Sequence, residues 1–295
     1  MITPFIAGSS NAAFPDDLEI VCERFDRSAP AGGFLSDRDQ ALCAAAIAAG
    51  TYRGFDNVTA RSTEFTVHNS GFREDLMAPD FGSIARHRGV ACTLSLSLFG
   101  TPGWAMPTIG AAINQRGLRT YLAETTTPLY KALAAHVEPD LLVGSEYFGD
   151  EHRSGDLVNG VRHEDLQSLS FSDASFDIVM TSEVLEHVPD AERAEREIVR
   201  VLRRGGKYVF TVPLDAYGDR DTILAERLAD GSIRFHGEPV YHGDPIRAGG
   251  ILAYRIFALG DLERRFHGLG CGLETFRFWS PALGILGRST FVHVA

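Results

Sequence analysis

Runs of apolar residues alternate with amphipathic stretches along the central part of this chain. Phe176 to Thr181 is an apolar run of the kind that a parallel strand buried on both faces needs. A helical pattern follows, in which Asp190 is the expected N-cap and Gly205-Gly206 the expected end. The apolar run 207–212 then predicts the next strand. A strand, a helix and a parallel strand in this order predict a doubly wound α/β sheet.

Three more strand candidates lie upstream, which gives the sheet five in chain order. We number them one to five, at residues 118–124, 140–146, 161–164, 176–181 and 207–212. A helix candidate, Leu129 to His136, separates the first two. An alternative alignment takes GSEYFG, residues 144–149, as the loop after strand one. It leaves only about a dozen residues before Val161, too few for a helix and a strand, so we prefer the first alignment.

Polar side chains stand where the predicted strands end. In a doubly wound sheet, the carboxyl ends of the strands form the crevice that binds a ligand. Glu124 ends strand one, and Thr125, Thr126 and Thr127, which we call the threonine loop, follow it. Their backbone N–H groups and hydroxyls can bind a ligand carboxylate. Glu146, at the end of strand two, is the candidate acceptor for the two hydroxyls of a ribose.

Three words of the sequence, EDLQSLSF, SFDIVMTSEVLEHV and EIVRVLRRGGKYVFTVP, fall within about fifty consecutive residues. In these words and their spacing, the chain resembles class I S-adenosylmethionine-dependent methyltransferases of the type 11 family. The resemblance implies a Rossmann-like sheet of seven strands with the last antiparallel. It also implies S-adenosylmethionine as cofactor and direct methyl transfer to an oxygen or nitrogen of a small molecule. The threonine loop departs from the family's glycine loop, and its side chains leave less room for close backbone approach.

The resemblance also implies which residues hold the cofactor. Asp165, at the end of strand three, takes the position that binds the adenine amino group in the family, and Glu146 takes the ribose position. Residues 181–183, at the end of strand four, stand beside the methionine part. The full set of expected cofactor-binding residues is Glu124, Thr125, Thr126, Glu146, Tyr147, Asp165, Leu166, Thr181, Ser182 and Glu183.

The chain divides near Gln115 into two predicted domains. Residues 1–115 form an N-terminal accessory or substrate lobe, which we expect to enclose substrate or to form a subunit contact, as in a homodimer. Residues 116–295 form the methyltransferase-like domain, with an insertion at about 214–251 after strand five. Insertions at this place overhang the strand ends, where the substrate must sit.

The remaining elements follow from local patterns. In the lobe, we expect a helix from an N-cap at Ser36 through Ala49, and a strand from Thr63 to His68. After the insertion, the pattern predicts a helix at 254–266 and strands at 273–279 and 289–294. The helix and the two strands fit the end of the class I methyltransferase sheet.

The insertion carries a cluster with acid/base potential, Tyr241, His242 and Asp244. Asp244 could orient His242, whose neutral imidazole would take a proton from the nucleophile as it attacks the methyl group. The alternative is a turn built by the glycine and proline of this segment, in which His242 and Asp244 bond their own backbone. His187, in the word LEHV, is the second candidate base.

Composition narrows the partners of the chain. Its 295 residues carry a net charge of −11 with no basic block, which argues against a track for nucleic-acid phosphates. The apolar windows are too short to span a bilayer, and the N-terminus lacks a secretory signal pattern. We therefore expect a cytoplasmic protein of small-molecule biosynthesis, with a small-molecule substrate, no nucleic acid and no membrane partner.

The cysteines and histidines show no metal-binding spacing. Cys22, Cys43, Cys92 and Cys271 are widely separated and form no CxxC pair. The histidines outside the two candidate bases have no partner at a ligand spacing. The sequence therefore predicts no metal.

Two other functions remain open for this fold. The first is a methyltransferase-like domain that has lost transfer activity and acts as a binding or interaction module, which the threonine loop favours. The second is a natural-product enzyme of this fold that catalyses another reaction, such as a cyclisation. Binding of S-adenosylmethionine or S-adenosylhomocysteine separates the enzyme readings from a simple interaction module.

Overall fold

The computed structural model describes residues 3–6, 18–28, 37–244, 246–287 and 289–295. They group into two compact units that do not follow a single cut in the sequence. One unit takes residues 1–118, 127–142 and 274–294, and the other takes 119–126, 143–273 and 295. We call them the first and the second unit. The division into two domains near Gln115 stays a prediction.

The five predicted parallel strands are all present. Their observed bounds are Thr120–Leu122, Leu142–Gly144, Val161–Arg162, Phe176–Ser182 and Leu202–Thr211. Strand four lies between strands one and five and is parallel to both. Strand two flanks strand one, and a parallel bridge from Glu146 to His163 adds strand three beside strand two. The order is therefore three, two, one, four, five, and the preferred alignment is confirmed.

The sheet is mixed, as predicted. Ala295 and Tyr208 exchange both backbone hydrogen bonds, at 2.9 and 3.0 Å, which is the pattern of an antiparallel pair. Strand five thus has a parallel neighbour on one side and an antiparallel neighbour on the other. This arrangement confirms the predicted Rossmann-like α/β class.

The helix after strand four shows why its sequence folds as predicted. It spans Ala191–Val201, and the Asp190 side chain accepts a hydrogen bond from the Arg193 N–H, so the predicted N-cap is confirmed. Its apolar face is buried in one core with residues of strands four and five. Burying this face against the sheet stabilises the helix far more than the intrinsic propensity of its residues does.

Two predicted boundaries were wrong. The helix ends at Val201, because Leu202 is already extended and starts strand five, so Gly205-Gly206 lies within that strand, where its register with strand four shifts. Gly205 has a φ of 81°, which favours glycine. The predicted helix 254–266 begins with a strand, Arg255–Ala258, which pairs with Leu214–Asp215 and with Thr222–Ile223. The helix itself spans Leu259–Gly268.

The rest of the insertion in the second unit consists of short antiparallel pairs. Ala225–Arg227 pairs with Ile233–Phe235, and Tyr241–His242 pairs with Ile251–Leu252. Outside the insertion, Leu157–Val158 pairs antiparallel with strand three, Val161–Arg162. A 3₁₀ turn, Leu185–His187, follows strand four. These pairs give the insertion defined turns at which side chains can be held.

The first unit contains antiparallel strands and helices. Its strands are Thr3–Ile6, Glu19–Arg24, Glu274–Trp279 and Phe291–Val294, together with the hairpin Thr51–Asp56 and Arg61–Thr66. Its helices are Asp37–Ala49, Ala85–Phe99, Met106–Arg116 and Pro128–Ala134, with a 3₁₀ turn at Phe72–Glu74. The expected N-cap Ser36 lies outside the described residues. Within the described ranges, no helix has the length and apolar character needed to cross a bilayer.

Candidate functional site

The end of strand two is tied to the threonine loop through one carboxylate oxygen. Glu146 Oε1 accepts the N–H of Thr125 at 2.6 Å and the N–H of Thr126 at 3.2 Å. The hydroxyls of the same two threonines lie 2.9 and 3.4 Å from this oxygen. Neighbouring parallel strands bring these groups together, because strands one and two end at the same edge of the sheet.

This bonding decides which part of the cofactor the residues fit. Among the described residues, every hydrogen bond to the Glu146 carboxylate goes to Oε1, so Oε2 is left to accept from a ribose hydroxyl. In this structure the N–H groups of Thr125 and Thr126 bond to Glu146, and their part in binding a ligand carboxylate stays a prediction. The residues therefore fit the ribose end of S-adenosylmethionine. The threonine loop is held by hydrogen bonds to the Glu146 carboxylate, where the family has a glycine loop.

The residues expected around the adenosine lie nearby, with different local roles. Asp165 accepts from the N–H of Gln167 at 2.9 Å and from its side-chain amide at 3.1 Å, which forms a turn after strand three. Leu166 is buried in the core of the second unit. Tyr147 gives its hydroxyl to Asp150, and its ring lies against His163, 5.4 Å between centroids. The Asp165 carboxylate is thus half-exposed after strand three, where the cofactor was predicted to bind, while Leu166 packs in the core.

Two polar side chains at the end of strand four are buried against other polar side chains of the protein. Thr181 is buried, and its hydroxyl lies 2.6 Å from that of buried Tyr208. The Ser182 hydroxyl lies 3.3 Å from that of Thr211, and it too is buried. Glu183 differs, since its φ is +56°, which is rare for a residue with a side chain. Such backbone strain concentrates at functional sites.

Glu124, the acid that ends strand one, is buried. Its neighbour on strand one, Tyr121, is also buried, and its hydroxyl lies 2.7 Å from the Ser145 hydroxyl. Strands one and two are thus joined by polar side chains as well as by backbone bonds. The part that Glu124 plays towards a cofactor stays a prediction.

The predicted partnership of Asp244 with His242 is not what the structure gives. Both oxygens of Asp244 serve the turn that follows it: Oδ1 accepts from the N–H groups of Ile246 and Arg247, and Oδ2 pairs with the Arg247 guanidinium. Burial alone would raise the pKa of Asp244, but these hydrogen bonds outweigh it and hold the pKa below its ordinary value. Asp244 therefore belongs to a turn, as in the alternative prediction. Tyr241 is exposed.

The two candidate bases instead meet at one buried acid. Glu186 Oε1 lies 3.6 Å from His187 Nε2 and 3.6 Å from His242 Nδ1. The two imidazole rings are 4.9 Å apart and nearly perpendicular. We call Glu186, His187 and His242 the His–Glu cluster. It joins the turn after strand four to the hairpin of the insertion.

Burial sets the charge state of the cluster. Burial, together with the nearby charge of Glu183, raises the pKa of Glu186 to about 7, although His242 acts in the opposite direction. Burial lowers the pKa of His187 to about 4, so this imidazole is neutral at pH 7. Its Nδ1 lies 2.9 Å from the Leu252 carbonyl, which can only accept, so Nδ1 carries the hydrogen and Nε2 is the lone-pair nitrogen.

Glu186 is the functional candidate that sequence reasoning missed. It stands in the word SFDIVMTSEVLEHV, directly after a buried strand, yet the pattern indicated no role for it. Its meeting with His242 joins residues 56 positions apart in the sequence, a pairing that local patterns do not reveal. His187, by contrast, was identified from its word.

Comparisons with known proteins find methyltransferases. Residues 121–210 match a family model described as a methyltransferase domain. An uncharacterized methyltransferase of Mycobacterium sp. (strain KMS) is 34% identical over 149 residues, which are 48% of this chain and 50% of the relative. A sarcosine/dimethylglycine N-methyltransferase of Halorhodospira halochloris is 31% identical over 81 residues, 28% of this chain and 29% of the relative.

A solved S-adenosylmethionine-dependent methyltransferase from Mesorhizobium loti is also similar, with 20% identity and a TM-score of 0.34. The similarity covers 54% of this chain and 76% of that one. The chain spans half or less of the curated relatives named above. The match over residues 121–210 confirms the predicted resemblance to methyltransferases of this family.

Proposed function

We propose that this protein transfers a methyl group from S-adenosylmethionine to an oxygen or nitrogen of a small molecule. The observation that carries the proposal is the Glu146 carboxylate, which closes the loop after strand one while keeping one oxygen for a ribose. It lies within the residues that match the methyltransferase domain. The strand order three, two, one, four, five supports the same proposal, because it sets these strand ends side by side.

The protein's own residues would bind and orient the reactants. Glu146 would accept from the ribose, and Asp165 would accept from the adenine amino group. The bound cofactor supplies a methyl group that its sulfonium has already activated. The task left to the protein is to align the nucleophile with that methyl group and to exclude water. These two effects together can lower the activation barrier by about 7–11 kcal/mol.

The similarity to a sarcosine/dimethylglycine N-methyltransferase supports an amine among the acceptors, and the family resemblance supports an alcohol or phenol equally. Neutral amines attack without losing a proton first, whereas an alcohol needs a group that removes its proton as it reacts. A preference for amine acceptors would therefore leave turnover less dependent on the His–Glu cluster than a preference for alcohols would.

One observation favours a second function, a methyltransferase-like binding module. The N–H groups of Thr125 and Thr126 are already bonded to Glu146, so they do not serve the carboxylate of a bound amino acid in this arrangement. Such a protein would bind a nucleoside without transferring a methyl group. It would still respond to S-adenosylhomocysteine or adenosine, and the two functions separate on turnover.

Calorimetric titration tests the proposal directly. We expect the protein to bind S-adenosylmethionine and S-adenosylhomocysteine, and Glu146→Ala to weaken S-adenosylhomocysteine binding by about 1.5–3 kcal/mol, because a charged acceptor is lost. Glu151→Ala is the matched control, since it removes an exposed acid of the same type from the neighbouring loop. It should leave the affinity unchanged.

Two results would count against methyl transfer. If the wild-type protein binds neither ligand, no cofactor site exists. If Glu146→Ala binds as tightly as wild type while circular dichroism shows an intact fold, the pocket lies elsewhere. Binding without transfer to a panel of amines, alcohols and phenols would support the binding module instead.

A further inference from the structure

Glu186 is a buried acid that lies near two histidines without a hydrogen bond to either within the described ranges. Its side chain is fully buried, and within the described ranges neither carboxylate oxygen has a hydrogen-bond partner. A buried polar group without a hydrogen bond destabilises the folded protein, and a charged group does so more than a neutral one. Protonation removes the charge but still leaves the acid without a partner. Buried acids of this kind are usually paired or bound to a metal ion.

The spacing around Glu186 is that of metal ligands. Its Oε1 lies 3.6 Å from His187 Nε2 and 3.6 Å from His242 Nδ1, and all three ligand atoms lie within 4.8 Å of one another. Neighbouring ligand atoms held about 2.0–2.2 Å from one ion are roughly 2.8–3.6 Å apart in tetrahedral or octahedral geometry. The measured distances are too long for hydrogen bonds and close to those of atoms that share an ion.

The surroundings of His187 prepare it as a ligand. Its Nδ1–H donates to the Leu252 carbonyl at 2.9 Å, which leaves the Nε2 lone pair on the side of Glu186. A histidine that binds a metal typically donates its other N–H to a carbonyl or carboxylate in this way. Leu252 belongs to the strand that pairs with Tyr241–His242, so one hairpin fixes both histidines.

We propose that Glu186, His187 and His242 bind a divalent transition-metal ion such as Zn²⁺. Two imidazole nitrogens and one carboxylate suit zinc, manganese or iron, whereas magnesium and calcium take oxygen ligands. Three protein ligands leave a coordination position for water or for an acceptor oxygen. His242 is the ligand nearest solvent, with a side chain 36% exposed, which gives the ion a way in.

The metal changes the assignment of the base. An imidazole nitrogen bound to an ion cannot take a proton, so His242 and His187 would act as ligands, and the ion would lower the pKa of a bound hydroxyl. This inference goes beyond methyl transfer, because metal binding is measured without cofactor or acceptor. The prediction of no metal rested on spacing along the chain, whereas the cluster forms only in the fold.

Titration of the chelator-treated, full-length protein with Zn²⁺, and separately with Co²⁺ followed by its visible absorption, tests the site. We expect one equivalent to bind, and Glu186→Gln and His242→Ala each to lose at least about 100-fold in affinity. The matched control is His236→Ala, which breaks an exposed histidine–glutamate pair, 2.8 Å from Glu226, on another hairpin of the insertion. It should bind the metal as wild type does.

The outcomes are decisive in both directions. Loss of the equivalent in Glu186→Gln and His242→Ala, with retention in His236→Ala, supports the site. Failure of the wild-type protein to bind Zn²⁺, Co²⁺, Mn²⁺ or Fe²⁺ overturns the proposal, and so does unchanged affinity in the Glu186→Gln/His242→Ala double variant. Circular dichroism of each metal-free variant shows whether its fold is intact. Because His242 is partly exposed, His242→Ala keeps the test valid even if Glu186→Gln unfolds.

Discussion

Thr181 lies where the resemblance predicts a cofactor contact, yet its side chain belongs to the core. Its buried hydroxyl lies 2.6 Å from the Tyr208 hydroxyl, and Tyr208 stacks on Phe210 with ring centroids 4.4 Å apart. Sequence shows that a polar residue ends a strand, but not which face of the sheet it takes. On the face that Thr181 takes, the Tyr208 hydroxyl is its hydrogen-bond partner, so the Thr181 hydroxyl needs no ligand.

This contact gives a prediction at the residue scale. Thr181→Val should lower the free energy of unfolding by about 1–3 kcal/mol, because the Tyr208 hydroxyl is left buried without its partner. Denaturation in urea measures this change. The double variant Thr181→Val/Tyr208→Phe should lose less than the sum of the two single variants, since it removes both ends of the bond. If Thr181→Val instead weakens S-adenosylhomocysteine binding at unchanged stability, the hydroxyl serves the cofactor.

The sequence identified Glu146 and His187 as candidate site residues but not Glu186, for a physical reason. The first two stand at places that the order of strands and one short word define. The part played by Glu186 depends on burial and on a hairpin more than fifty residues away, neither of which a local pattern contains. The predicted contact between Asp244 and His242 was wrong for the opposite reason, because Arg247, which is close in sequence, pairs with the Asp244 carboxylate.

At the scale of elements, the cap of the helix Ala191–Val201 is open to direct test. Asp190→Ala should lower the free energy of unfolding by about 0.5–2 kcal/mol, since the Arg193 N–H loses its acceptor. Asp190→Ser supplies another capping oxygen and should recover most of this loss. Thermal and urea unfolding of the three proteins would check it. Equal losses in both variants would contradict a capping role.

Elements with strong local patterns were predicted well. Strand four and the helix after it combine an apolar run, a capping residue and a helical period that all agree. The segment 254–266 was assigned to a helix throughout, because a helical period and a strand are hard to separate in short runs. Its first residues pair with two other strands of the insertion, and that pairing decides their structure.

At the scale of the whole molecule, the resemblance covered the part of the chain that contains the predicted cofactor site. Helices separate strand one from strand two and strand four from strand five, and such crossovers between parallel strands have one hand. The antiparallel strands and helices of the first unit had weaker signals, and only some of them were predicted. Glu19–Arg24 pairs with Glu274–Trp279, which is distant in sequence, and short patterns do not encode such a contact.

The two proposed sites give the molecule two independent ligand responses. Any ligand that binds only the folded protein stabilises it, by about 2.7 kcal/mol at a concentration 100 times its dissociation constant. We expect S-adenosylhomocysteine and Zn²⁺ each to raise the melting temperature of the wild-type protein. Glu146→Ala should lose most of the response to S-adenosylhomocysteine and keep the response to Zn²⁺. Glu186→Gln should do the reverse.

This crossed pattern follows from the side chains involved. Glu146 bonds to the threonine loop after strand one, whereas Glu186 faces the two histidines beyond strand four, so removing one carboxylate leaves the partners of the other in place. Differential scanning fluorimetry of the three proteins, each with and without the two ligands, measures it. A Glu186→Gln variant that no longer responds to S-adenosylhomocysteine would show that the cluster is part of the cofactor site. A wild-type protein that responds to Zn²⁺ alone would support the metal site and count against methyl transfer.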